Sequence, residues 1–115
     1  MTNSNNDVST YLSFYLGDEL FGANVKHILE VLRDEQITEI PRSQDFIKGI
    51  INFRGEIVTV IDLFAKLNMP TDNDTNKHIV VVFEIESNQK TVKIGVLVQK
   101  VKKVFEMNEN EKMPI

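Results

Sequence analysis

The segment that most constrains the fold is FIKGIINFRGEIVTVIDL, which spans residues 46–63. Two β-prone runs, Gly49–Phe53 and Ile57–Asp62, flank the dipeptide Arg54-Gly55. A connection of two residues forces neighbouring strands to pair antiparallel, and glycine readily takes the positive φ that such a turn needs. This segment therefore predicts a β-hairpin that carries an arginine at its tip.

The second strand of this hairpin is apolar on both faces. Ile57 and Ile61 point to one side, whereas Val58 and Val60 point to the other. A strand of this kind is either buried on both sides or presents one side to a partner. Because Arg54 lies beside it and arginine is enriched in binding hot spots, the hairpin is a candidate site for binding another protein.

The composition is that of one domain inside a cell. A chain of 115 residues, with 42% hydrophobic and 26% charged residues, is long enough for one core but not for two. It contains no cysteine, and no apolar run approaches the roughly 20 residues of a membrane span. The polar amino terminus lacks the features of a signal peptide. We therefore expect a disordered segment over residues 1–10 and a cytoplasmic protein.

Alternating apolar residues along the rest of the chain predict strands. Beside the hairpin, the predicted strands are Tyr11–Leu16, Leu20–Ala23, Leu29–Arg33, Gln36–Ile40, His78–Glu86 and Lys90–Val98. Single helical turns are predicted at Val25–Ile28, Ser43–Lys48 and Leu63–Leu67, with a polar loop over 71–76. A strand through Val101 and Val104 must bulge if both residues point inward. This pattern is typical of an all-β barrel or sandwich.

Residues suited to catalysis or metal binding are scarce. His27 and Glu30 are spaced to meet on one helical turn, but one imidazole and one carboxylate are too few ligands for a stable metal site. The glycines are scattered singly and form no phosphate-binding loop. We therefore expect no catalytic residue, no cofactor and no metal, and hence no enzyme.

The charge distribution leaves a different class of partner open. The net charge is −4, yet residues 77–103 carry six lysines against Glu84 and Glu86, a local balance of +4. Such a strip indicates either nucleic-acid binding or, more commonly, lysines on the solvated faces of strands. Nucleic-acid-binding barrels also need stacking aromatic rings, and this region offers only Phe83. A small nucleic-acid-binding barrel therefore stays an alternative, and we expect no nucleic-acid partner.

The hairpin and its flanks resemble the CheW-like domains of chemotaxis. NFRG, preceded by FIKGI and followed by EIVTVIDL, is similar to the NLRG segment of that family and the strand after it. YLSFYLGDELFG at 11–22 resembles the family's first hairpin, and VKHILEV at 25–31 resembles the segment that follows. Residues 92–104 resemble the start of the closing strands of its second barrel. The resemblance extends from about Tyr11 to Met107.

Membership of this family implies an all-β fold of two linked, small, SH3-like barrels with short helical turns and a groove between them. First-barrel strands are expected over 11–69, a flexible loop over 70–76 and second-barrel strands over 77–107. The resemblance also implies a non-catalytic adaptor that couples chemoreceptors to the histidine kinase CheA. Because CheV-type adaptors and CheA share the fold, a domain cut from either kind of protein is an open alternative.

The resemblance further assigns residues to each partner. Glu30 and Arg54 match the acid and the arginine that the family uses in receptor coupling. Ile28 and Val104 fall where apolar residues of the groove are expected to hold the receptor's helical hairpin tip. Ile37 and Thr38 fall where the first barrel is expected to meet the regulatory domain of CheA.

Two features depart from the family pattern. Gln99, followed by Lys100, Lys102 and Lys103, stands where the family commonly has an aspartate, which alters the charge at the second barrel. Family domains also continue beyond the segment resembling NEKMPI with further strands, whereas this sequence ends at Ile115. A barrel without its closing strand exposes unpaired backbone groups. We therefore expect an incomplete fold at the carboxy terminus and a homodimer formed by edge pairing or strand exchange.

Overall fold

The structure, a computed structural model, describes residues 8–42, 44–63 and 79–108. Within these ranges the chain forms β1 (Val8–Leu16), β2 (Glu19–Asn24), β3 (Ile28–Arg33), β4 (Ile47–Phe53), β5 (Glu56–Asp62), β6 (Ile79–Ser87), β7 (Lys90–Val98) and β8 (Lys100–Asn108). A single turn of 3₁₀ helix, Val25–His27, joins β2 to β3. The predicted all-β class is confirmed.

The strands form two sheets that draw on both halves of the chain. One sheet has the order β2-β1-β8, and the other has the order β3-β6-β7-β5-β4. Every neighbouring pair is antiparallel except β5 and β7, which run parallel. This order differs from the expected division into 11–69 and 77–107, because β8 returns to β1 while β3, β4 and β5 join β6 and β7. Apolar periodicity identifies strands but not their partners.

The five-stranded sheet is apolar on both faces and therefore contributes to two cores. One face packs against the three-stranded sheet, and the core between the two sheets contains the buried residues Leu12, Phe14, Leu16, Ile79, Val81, Val96 and Val98. The other face encloses a second core of Ile51, Phe53, Val58, Val60, Val80 and Val82. Because successive side chains of a strand point to opposite faces, β6 alternates between the two cores residue by residue.

The predicted hairpin is confirmed, and its turn is formed by Arg54 and Gly55. The φ angles of these residues are 53° and 84°. Two positive φ values in a two-residue loop are typical of a type I′ turn, whose twist matches that of the flanking strands. The Asn52 Oδ1 atom accepts a hydrogen bond of 3.0 Å from the Gly55 N–H, which further fixes the turn.

The segment Gln36–Ile40 is not a full strand. Only Thr38 bridges to β4: its N–H donates to the carbonyl of Ile50 over 2.9 Å, and its carbonyl accepts from the Ile50 N–H over 2.8 Å. Pro41 follows closely, and proline offers no N–H to extend the ladder. The prediction of a strand over Gln36–Ile40 is therefore wrong, and the segment forms a single bridge instead.

Two further predictions differ at their boundaries. The helix expected over Ser43–Lys48 is absent from the described part of that segment, because Ile47 already begins β4, while Ser43 lies outside the described residues. Strand β1 begins at Val8, inside the segment expected to be disordered. Leu63 is helical, whereas the rest of the predicted turn to Leu67 and the 71–76 loop lie outside the described residues.

The expected bulge is present in β8. Ser13 pairs with Lys103 while the next residue, Phe14, pairs with Val101, so Lys102 is the extra residue. The buried Ser13 hydroxyl donates to the Lys103 carbonyl over 2.9 Å and accepts from the Lys103 N–H over 3.2 Å. The bulge allows Val104 to face the same side as Val101, as predicted, but Val104 remains 60% exposed there.

Gly49 lies where the chain packs too closely to accept a larger side chain. It lies at a register shift between β4 and β5, and a Cβ atom there would collide with the carbonyl oxygen of Thr38 and lie 2.8 Å from Ile37 Cγ2. We expect Gly49→Ala to lower the free energy of unfolding by about 2–3 kcal/mol, measured by urea denaturation. The matched control is Gly22→Ala, whose new Cβ would lie 3.8 Å from the nearest atom, Phe105 Cζ. Equal effects of the two substitutions would contradict this account.

Candidate protein-binding site

Arg54 reaches from the hairpin tip to Glu30 on β3. The Arg54 Nη2 and Glu30 Oε1 atoms are 2.7 Å apart, although the residues are 24 positions apart in sequence. Strands β3 and β4 are the two edges of the five-stranded sheet. The ion pair therefore connects the two edges of the curled sheet. Its members are the acid and the arginine to which the family resemblance assigned a role in receptor coupling.

This ion pair is accessible to solvent. The side chains of Arg54 and Glu30 are 64% and 41% exposed. Exposed ion pairs contribute only about 0.2–1 kcal/mol to stability, because water and salt screen them. The Arg54 guanidinium also lies 4.7 Å from the centroid of the Phe53 ring, a cation–π contact that restricts its orientation. The ion pair and the ring contact thus orient the guanidinium, whose side chain remains 64% exposed.

Lys93 adds a second charged cluster on the five-stranded sheet. Its Nζ atom lies 2.9 Å from Glu56 Oε2 and 3.9 Å from Glu84 Oε2. Lys93 belongs to β7, whereas Lys100, Lys102 and Lys103 belong to β8 in the other sheet. The lysines of residues 77–103 that the structure describes are therefore divided between two sheets, and one of them is neutralised by carboxylates.

Apolar side chains remain exposed where the two sheets meet. Phe83 pairs with Ile94 and Ile85 pairs with Val92, so all four share the face that packs against the three-stranded sheet. Ile85 and Val92 are still 38% and 40% exposed. Together with the two predicted groove residues, Ile28 and Val104, these four side chains form a region that we call the inter-sheet surface. Its members are Ile28, Phe83, Ile85, Val92, Ile94 and Val104.

The two predicted groove residues each lie on the side of their sheet that faces the core between the sheets. Ile28 pairs with Phe83 and packs against the core between the sheets. Val104 pairs with the buried Leu12 and so faces the same side of its sheet, but with 60% of its area exposed. Val104 therefore leaves apolar area exposed on the side of its sheet that faces the core.

The two residues predicted to contact the kinase have different surroundings. Ile37 is half-buried against the core enclosed by the five-stranded sheet, whereas Thr38 is exposed. A shallow depression of about 310 Å³ lies beside Thr38, lined by Glu35, Gln36, Ile50, Ile51, Asn52 and Ile57. Both residues therefore lie beside the edge strand β4 of the five-stranded sheet, to which Thr38 bridges.

Ile57 is a candidate binding residue of the predicted hairpin that was not assigned to either partner from the sequence. It is 67% exposed and lines the depression beside Thr38. The sequence does indicate such a residue, because β5 is apolar on both faces and one face could therefore remain uncovered. Burial of Val58 and Val60 accounts for one face, and Ile61 packs between the sheets on the other, which leaves Ile57 uncovered at the end of the strand.

Among the described residues, no cluster of three or more histidine or acidic side chains is arranged to hold a metal ion. His27 is exposed on the 3₁₀ turn, and Glu30 is paired with Arg54. No helix in the part of the chain that the structure describes is long and apolar enough to span a membrane.

The chain belongs to the CheW-like domain family, whose model matches residues 10–115. It is 33% identical over 100 residues to the chemotaxis protein CheW of Thermotoga maritima, an alignment that covers 87% of this chain and 63% of that protein. It is 34% identical over 107 residues to CheW of Klebsiella aerogenes, covering 90% of this chain and 60% of that protein.

A solved structure shows the same fold. The crystal structure of the scaffolding protein CheW from Thermoanaerobacter tengcongensis matches this chain with a TM-score of 0.78 at 33% identity. The match covers 89% of this chain and 67% of that protein. The chain thus spans between 60% and 67% of the length of these relatives.

Reversing the Glu30–Arg54 pair tests its contribution to the fold. We expect Glu30→Arg and Arg54→Glu each to lower the free energy of unfolding by no more than about 1 kcal/mol, because both side chains are exposed. The double variant, which restores opposite charges, should recover most of that loss in urea denaturation at low salt. High salt should reduce all the differences. If either single variant unfolded the domain, the pair would be a structural element instead.

Proposed function

We propose that this chain is a non-catalytic, cytoplasmic adaptor that couples chemoreceptors to the histidine kinase CheA through protein–protein contacts. The observation that carries the proposal is the oriented but accessible Glu30–Arg54 pair on a domain that also exposes the inter-sheet surface. Protein interfaces combine an apolar centre with a few oriented charges. The scaffolding role named for a relative with this fold supports the same function.

The proposed receptor contact is the inter-sheet surface together with the ion pair. A helical hairpin tip would lay its apolar side chains on Ile28 and Val104, a recurring mode of recognition in which a helix fills an apolar groove. Glu30 and Arg54 would then contact charged or polar groups of the receptor, and their contact with each other would weaken. Such a pair adds little stability alone, so its contribution would be to orientation and specificity.

The proposed kinase contact is the depression beside Thr38. Ile57 supplies an exposed apolar side chain, and the surrounding polar groups of Gln36 and Asn52 supply hydrogen-bonding partners. Ile37 supports this surface from within, because it packs against the core below. The regulatory domain of CheA is the partner proposed for this depression, and the two proposed contacts would then lie side by side, because Asn52 and Ile57 flank the turn that carries Arg54.

Arg54→Glu tests the receptor contact. We expect the dissociation constant of this variant for a purified receptor-tip fragment to rise at least about 30-fold in calorimetric titration. The reason is that a glutamate, with the same charge as Glu30, replaces an anchoring arginine. Glu30→Arg/Arg54→Glu should recover stability but not receptor binding. The matched control, Arg33→Glu, changes an exposed arginine at the other end of β3 and should bind the tip normally. Normal recruitment of receptor by Arg54→Glu would refute the assignment.

Thr38→Arg tests the kinase contact. The side chain is exposed and only the backbone of Thr38 pairs with Ile50, so the substitution should leave the fold intact. We expect binding to the purified regulatory domain of CheA to fall at least about tenfold, with receptor-tip binding unchanged. Ile57→Asp should act in the same way. If both variants bound the kinase domain as well as the wild type, the depression would not be the contact surface.

A further inference from the structure

We propose that Lys93 is a positioning residue for Arg54, because it binds the carboxylate of Glu56. Left free, Glu56 would compete with Glu30 for the Arg54 guanidinium. The Lys93 Nζ atom lies 2.9 Å from Glu56 Oε2, and the Arg54 Nη2 atom lies 2.7 Å from Glu30 Oε1. The effect of Lys93 on receptor binding rests on the proposed receptor contact, whereas its effect on the pairing of Arg54 does not.

Glu30 and Glu56 lie on the same side of the five-stranded sheet. Directly paired residues share a face of a sheet, and so do residues two positions apart on one strand. Glu56 pairs with Phe53, and Glu30 pairs with Val82. Both partners are buried in the second core. The two carboxylates therefore belong to the side of the sheet that encloses this core, and Arg54 follows Phe53 directly.

Lys93 belongs to the same side and is the most enclosed charged residue of this group. It pairs with Glu84, which lies two residues past Val82 on β6. The Lys93 side chain is 26% exposed, whereas those of Glu56 and Arg54 are 58% and 64% exposed. Partly buried charges are screened less by water and salt than exposed ones. Lys93 is therefore the cation with less freedom to move, and Arg54 is the one that can change its partner.

Glu56 is the carboxylate placed to compete for Arg54. The Arg54 guanidinium lies 4.7 Å from the centroid of the Phe53 ring, and Phe53 lies directly opposite Glu56 in the pairing of β4 with β5. Directly opposite residues in antiparallel strands have Cβ atoms about 4.5–5.5 Å apart. A glutamate side chain at this position can therefore approach a guanidinium above the ring, unless another cation holds it.

The charges of this group make the competition depend on Lys93. Three carboxylates, those of Glu30, Glu56 and Glu84, share two cations. Lys93 contacts two of the carboxylates, since its Nζ atom also lies 3.9 Å from Glu84 Oε2. Without the lysine charge, Arg54 would be the one cation left for all three. Its guanidinium would then pair with Glu30 for a smaller fraction of the time.

A fixed Arg54 matters for the proposed receptor contact. Ordering a mobile side chain on binding lowers affinity, whereas a side chain that is already oriented avoids this cost. By keeping Arg54 beside Glu30, Lys93 would raise the affinity for the receptor without contacting the receptor itself. Removal of the competing carboxylate should therefore compensate for removal of the lysine.

The pairing of Arg54 can be followed without a receptor through the NMR resonance of its Nε–H group. The sequence contains three arginines, so Arg54→Lys identifies the resonance. We expect Lys93→Met to shift it in the direction produced by Glu30→Gln, because both variants weaken the contact with Glu30. Lys93→Met/Glu56→Gln should return it close to its wild-type position. The matched control is Lys90→Met, which removes an exposed lysine at the start of the same strand and should leave the resonance in place.

Receptor binding provides the second measurement. We expect Lys93→Met to raise the dissociation constant for a purified receptor-tip fragment about tenfold in calorimetric titration. Lys93→Met/Glu56→Gln should bind nearly as well as the wild type. Glu56→Gln alone should bind normally, because Arg54 keeps its partner, and Lys93→Arg should bind normally because it retains the cation.

Two results would overturn the proposal. The Arg54 resonance could stay in place in Lys93→Met, or both losses could persist after Glu56→Gln is added, as expected if Lys93 touched the receptor or only stabilised the fold. Failure of the proposed receptor contact would look different: Arg54→Glu would bind the tip normally, while the resonance still moved and recovered as expected. Circular dichroism checks that each variant is folded, and recovery in the double variant guards against a loss caused by misfolding.

Discussion

The double-sided burial of β6 and β7 is the constraint on which the rest of the structure depends. Val80 and Val82 point into one core, and Ile79 and Val81 into the other, all with at most 8% exposure. A shift of one residue in the pairing of β6 would exchange the contents of the two cores. Gly95 on β7 reinforces this register, because a Cβ atom there would lie 2.9 Å from Val80 Cγ1 and 3.1 Å from Val60 Cγ2.

A sheet with two buried faces must expose its ends and edges, and the candidate sites lie there. The Glu30–Arg54 pair connects β3 to the β4–β5 turn, and Ile57, two residues past that turn, is 67% exposed. Arg54 also adopts φ of 53°, a backbone region that costs a non-glycine residue of order 1 kcal/mol. Glycine or asparagine would fit this turn more easily. The use of arginine at a strained and exposed position favours a role in binding over a role in stability.

The sequence predicted local features of the fold better than the pairing of distant strands. The β4–β5 hairpin was predictable because its turn and both strands lie within eighteen consecutive residues. The need for a bulge near Val101 and Val104 was predictable from spacing alone. The return of β8 to β1 and the parallel pairing of β5 with β7 were not, because these contacts depend on how distant apolar faces share a core. The contact between Glu30 and Arg54 has no local signal either, and only the family resemblance suggested it.

Exposure of single residues was the least predictable property. Val104 and Leu12 are directly paired and face the same side of one sheet, yet Leu12 is 6% exposed and Val104 is 60% exposed. The difference arises from position in the sheet, since Leu12 lies on the central strand and Val104 lies on its neighbour at the edge. A helix bound to the inter-sheet surface would therefore contact the exposed face of Val104.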